Sequence, residues 1–168
     1  MGRDLDTYTL RAELIKNLID VYSEVAPNCL TARLAYEMTV MHPARRFYIT
    51  PKQAYQRINM YIKGKTEAID SLKPLQRQLY KDLIATILSM QKYANYRNCG
   101  LMRLCRMAVL QKAPRFYITP KWFNAILYMY THDLLDEYGR DVRMIERAHK
   151  EGYNSWILNY NKKKKYIK

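Results

Sequence analysis

The chain has 168 residues, with 29 Lys or Arg against 15 Asp or Glu for a formal net charge of +14, and 16 of its residues are Tyr. That length suits one domain or two small units sharing a core, because segments near ~70 residues only just bury a core of their own. The charge favours polyanionic partners, and no run reaches the roughly 18 apolar residues of a membrane span, so no membrane partner is expected.

The start, MGRDLDTYTL, lacks the basic flank and apolar core of a signal peptide, and Asp6 stands where a myristoylation signal needs Ser or Thr. Cys29, Cys99 and Cys105 are odd in number and show no CxxC spacing, so reduced thiols in a cytosolic setting are expected.

The first predicted helix runs from about Thr9 to Val25, with apolar residues at spacings of three and four. A second follows near Leu30 to Met41. The word RFYITPK then occupies residues 46–52: Arg-Phe-Tyr-Ile is β-prone and extended, while Thr50-Pro51 supplies an N-cap and a first-turn proline. Gln53 completes a capping-box pattern with Thr50, and Gly64 ends this third helix. The linker KTEAIDSLKP leads to a helix from about Leu75 to Ala94 and another from Leu101 to Lys112.

RFYITPK then returns letter for letter at residues 115–121, with Trp122 where Gln53 stood. At an offset of 69, Leu14, Ile15, Leu18 and Ile19 fall on Leu83, Ile84, Ile87 and Leu88, one apolar helix face kept twice. At 70, Asn28-Cys29 and Arg33-Leu34 fall on Asn98-Cys99 and Arg103-Leu104. Beyond His132 the likeness stops. Val142, Ile145 and Ala148 suggest one more helix, closed by Gly152, and Lys162 to Lys168 form a basic tail. The expected fold is all-α, a tandem duplication of a three-helix unit (helix, helix, short extended RFYIT, helix). Residues 1–66 and 67–133 are the repeats, sharing one core, and 134–168 the C-terminal helix and tail.

Charge placement is more telling than net charge. No Asp or Glu occurs from Met38 to Thr66, where Arg45, Arg46, Lys52, Arg57, Lys63 and Lys65 lie, nor from Leu83 to His132, where Lys92, Arg97, Arg103, Arg106, Lys112, Arg115 and Lys121 lie. Ordinary soluble surfaces intersperse the two signs, so two long windows of one sign point to a polyanion contact. In an extended Phe-Tyr-Ile segment alternate side chains point oppositely, so Tyr48 and Tyr117 are expected to face solvent and to stack on bases or donate to phosphates. A helix opened by Thr-Pro after a shorter one resembles a helix-turn-helix in outline. Its reading residues would include Gln53 and Arg57 in one copy and Trp122 in the other, a difference that argues against sequence readout by both. The candidate nucleic-acid-binding residues are Arg45, Arg46, Tyr48, Lys52, Gln53, Arg57, Arg115, Tyr117, Lys121 and Trp122.

No catalytic constellation accompanies them. His42, His132 and His149 are dispersed, the five glycines form no phosphate loop, and the group Asp133, Asp136, Glu137 and Asp141 reads as a solvated helix face. Neither a metal site nor a cofactor is expected, and the chain does not read as an enzyme.

The words spanning Pro43 to Ile58 and Ala113 to Leu127 resemble the PxRFYVSPExA motif of small basic proteins encoded by phages and mobile elements of gut Bacteroidetes. Gln53 and Trp122 depart from that motif at its acidic position. The resemblance implies a genomic setting, and with it a bacterial host cytoplasm or a virion as the location and phage or mobile-element protein partners. DNA or RNA is the partner expected from charge. The alternative is a structural or interaction protein, such as a virion component or an accessory subunit of a polymerase or reverse transcriptase, docking on an acidic partner or forming a homo-oligomer.

Overall fold

Thr-Pro and Lys-Pro dipeptides start three of the helices in the computed structural model, which describes residues 5–150. The order is α1 (Leu5–Val25), a 3-10 turn (Ala26–Asn28), α2 (Ala32–Met41), α3 (Pro51–Ile62), α4 (Glu67–Asp70), α5 (Pro74–Met90), α6 (Leu101–Ala108), α7 (Pro120–Thr131) and α8 (Val142–Lys150). The protein is all-α: the described residues carry no sheet, only isolated bridges joining Ala44 to Ala113 and Leu135 to Asp141. Gly152 and the Lys162–Lys168 segment lie outside the described residues.

Local chemistry accounts for the helix ends. Thr50 Oγ1 accepts from the Gln53 amide at 3.2 Å and the Gln53 side chain reaches back to the Thr50 amide, so the capping box is formed. Thr119 accepts from the Trp122 amide at 3.1 Å, and the indole supplies no return bond. At the other end of α3, Gly64 adopts φ +88°, the Gly64 amide donates to Tyr61 O and the Lys65 amide to Met60 O, a Schellman motif that needs the left-handed conformation. α7 ends the same way, with Asp133 at φ +52° and the Leu134 amide donating to Met129 O.

The helices do not pack in chain order. α2 rests on α1 and α6 on α5, yet α3 packs on α6, and α7 packs on α2. α2 and α3 make no contact with each other, so the helix-turn-helix outline is not formed. The residues between α2 and α3 cross those between α6 and α7. Ala44 and Ala113 exchange both backbone hydrogen bonds at 3.0 Å, the Phe47 amide donates to Val109 O, and the Phe116 amide donates to Val40 O, each at 3.1 Å. A single cluster of buried residues spans Leu18 to Phe123, with Phe47, Phe116 and Phe123 fully enclosed.

Phe116→Ala removes a fully buried ring at this crossing and is expected to cost about 3–5 kcal/mol of unfolding free energy in urea. A loss below about 1 kcal/mol would mean that the crossing is not where the two halves are held together.

Candidate polyanion-binding surface

The two RFYIT segments lie against each other ring on ring. Phe47 stacks on Tyr117 with centroids 6.1 Å apart and planes 12° apart, and Phe116 stacks on Tyr48 at 6.4 Å and 7°. The tyrosines are therefore half-buried instead of facing solvent as alternation suggested. Alternation places Tyr48 opposite Phe47 and Ile49, but α1 covers that side, and α5 covers the equivalent side of Tyr117. The Tyr48 hydroxyl donates to Asn17 Oδ1 at 2.9 Å, and the same oxygen accepts the Arg45 amide at 3.0 Å. Asn17 is only 2% exposed, so this one carboxamide ties the first RFYIT segment to α1. Tyr117 donates instead to Asp82 Oδ2 at 2.6 Å. Burial pushes Tyr48 up to about 12, and burial with the bond to Asp82 raises Tyr117 further.

The arginines of the word are also partly committed. Arg46 lies 3.6 Å from Glu13, Arg45 lies 2.8 Å from Asp20 while staying largely exposed, and Arg115 Nε donates to Phe116 O at 3.2 Å. Arg46 and Arg115 share a crevice of about 60 Å³ with Tyr48 and Tyr117, on the line where the two halves meet. Arg57 is turned inward: Nη1 donates to Ala68 O at 2.8 Å and the guanidinium carbon sits 5.9 Å from the Tyr80 ring centre. Trp122 is half-buried beneath Arg11, whose guanidinium carbon is 5.6 Å from the indole centre. Lys52 and Lys121, in the first turns of α3 and α7, are exposed and make no ion pair among the described residues.

The chain crossing places acid-free helices side by side. Neither α3 nor α6 carries an Asp or Glu, and each packs on the other. Lys52 and Lys63 of the α3 region, and Arg103 and Arg106 of α6, are exposed. Arg103 and Arg106 belong to the second acid-free window but not to the candidate set, because nothing in the sequence says that α6 is the helix beside α3. Asp82, the one carboxylate on α5, already accepts from Tyr117 and from Gln78 Nε2 at 2.8 Å, which limits its influence on neighbouring cations.

Among the described residues no group of three or more His, Cys, Asp or Glu side chains could hold a metal ion. The three cysteines are free thiols. No helix among the described residues is long and apolar enough to cross a membrane. No protein-family model, curated protein or solved structure matches the chain.

A raised tyrosine pKa means the folded chain holds the proton more tightly than the unfolded chain, whose tyrosines titrate near 10. The stabilisation from Tyr48 and Tyr117 is thus fully present below pH ~10 and declines as pH rises above it, that of Tyr48 being lost through about 12 and that of Tyr117 only at still higher pH. Urea unfolding across that window is expected to show the wild type losing stability more steeply than the Tyr48→Phe/Tyr117→Phe double variant. Identical pH slopes would remove the two phenols as the cause.

Proposed function

We propose that this is a non-enzymatic nucleic-acid-binding protein, of the type carried by phages and mobile elements, that contacts phosphates through the surface its paired RFYITPK segments assemble. On this reading the chain is a tandem duplication, residues 1–66 and 67–133, folded as an internal pseudo-dimer whose second and third helices pair across the repeat boundary. The observation that carries the proposal is the packing of α3 on α6, two helices without a carboxylate whose Lys52, Arg103 and Arg106 are exposed. Phosphate contacts supply most non-specific affinity for nucleic acid, and they need unpaired cations on one face more than any particular motif. Arg46, Tyr48, Arg115 and Tyr117 then work mainly from behind, holding the segments that present Lys52 and Lys121.

An interaction role is favoured by a different feature. Leu30, Leu34, Met38 and Met41 form one exposed stripe leading into and along α2, with Leu30 97% exposed. A docking subunit for an acidic protein, or a self-associating chain, would use that stripe, and light scattering of the purified protein reads the assembly directly.

Electrophoretic shift with duplex DNA and with RNA at rising salt tests the leading reading. Binding at low salt is expected to weaken linearly in log–log form, and for duplex DNA each lost phosphate contact flattens the slope by about 0.9. Lys52→Glu with Arg103→Glu and Arg106→Glu should lower affinity at least tenfold and flatten that slope. No shift at low salt, or one unmoved by the triple reversal, would sink the proposal.

A further inference from the structure

A cavity of about 430 Å³ opens between α3 and α5, lined by Tyr48, Gln53, Gln56, Arg57, Gln76 and Tyr80 with apolar floor residues. Its volume lies within the roughly 300–1,000 Å³ range of small-ligand sites. The lining is unusual for a surface groove: two phenol rings, a guanidinium and three carboxamides converge on it. Gln53 Oε1 is engaged by Thr50, which leaves the Gln53 amide NH2 as a donor, and Arg57 is already fixed by Ala68 O and Tyr80. Gln56 and Gln76 are exposed.

The other half of the molecule indicates what such a place accommodates. At an offset of 69, Gln53 corresponds to Trp122 and Tyr80 to Arg11. There the position is filled from within: the Trp122 indole packs against the core with the Arg11 guanidinium over its face. At the α3–α5 site Tyr80 stands where Arg11 does, Arg57, whose counterpart at that offset is Ile126, brings the cation to the Tyr80 ring, and Gln53 stands in place of the bicyclic ring. A planar bicycle is thus the shape that the second half supplies itself and the first half lacks.

We propose that this cavity takes an unstacked purine base of a single-stranded nucleic acid, adenine foremost. This rests on the nucleic-acid reading above and names the form of nucleic acid bound. Carboxamides present the donor and acceptor pair that matches the N6/N7 edge of adenine, the half-buried Tyr48 ring supplies the aromatic wall while Tyr80, only 6% exposed beneath Arg57, backs the site, and Lys52, next to Gln53 on the exposed side of α3, stands ready for the adjoining phosphate. A base paired in a duplex cannot enter, so the site selects single strands.

Fluorescence anisotropy of the full chain, at low salt, with a short oligoadenylate DNA, the same strand with an abasic centre, and a duplex tests this. The wild type is expected to bind oligoadenylate about tenfold more tightly than the abasic strand, the size of one base–aromatic contact. Gln76→Ala, and Gln53→Trp, which installs the other half's ring and fills the cavity, should each bring that ratio close to one, with unchanged thermal unfolding showing that the variants are folded. Equal affinity of the wild type for the abasic and intact strands, or an undiminished ratio in both variants, overturns the cavity assignment while leaving phosphate binding in place. No binding of any of the three probes overturns this inference and the nucleic-acid reading together.

Discussion

The backbone exchange between Ala44 and Ala113 is the constraint on which the remaining structure depends. Both amides donate and both carbonyls accept, and the following Phe amides each donate to the last turn of the other half's second helix region, at Val109 and Val40. Buried backbone groups need partners, and a segment with neither helix nor sheet around it has to find them elsewhere in the chain. Here each RFYIT segment finds them in its counterpart. The stacked Phe47–Tyr117 and Phe116–Tyr48 pairs then seal the crossing with apolar surface.

That exchange explains why the heptapeptide occurs twice. Phe47 and Phe116 fill the centre, Thr50 and Thr119 cap α3 and α7, and the prolines start those helices. Tyr48 and Tyr117 belong to the same framework, since their hydroxyls are bonded to α1 and α5. What the framework leaves over is the exposed lysine at the end of each word. The crossing carries α3 to α6, and so joins parts of two acid-free windows that are far apart in sequence. A cationic surface made this way needs no single basic stretch.

The helical class was legible because its signals are local: apolar spacing of three and four, Thr-Pro starts, and Gly64 at a left-handed stop. Boundaries drifted where those signals were weak. α5 ends at Met90 and not near Ala94, α6 ends at Ala108 and not at Lys112, and the short α4 lies inside KTEAIDSLKP, where no apolar period is long enough to show. The partners of each helix were not legible, because α3 against α6 is a non-local pairing with no sequence period. The outward expectation for Tyr48 failed for the same reason, since alternation tells which side chains oppose one another but not which side another helix will cover. The N-caps Thr31 and Gly100 lie 69 residues apart, as do the buried residues Ala35 and Leu104.

Within the candidate site, the sequence located the charge but not its commitments. Glu13, Asn17, Asp20 and Asp82 lie on α1 and α5, at least 25 residues from the side chains they hold, so nothing adjacent to RFYITPK announced them. Lysine-reactive footprinting of the full chain, with and without an oligonucleotide at low salt, tests the central claim most directly. Lys52 and Lys63 on the acid-free side should lose reactivity when nucleic acid is added, while Lys16, which lies beside a groove lined by Asp20, Asp133, Asp136 and Glu137, should keep it. Protection spread evenly over all three lysines, or strongest at Lys16, would contradict the account.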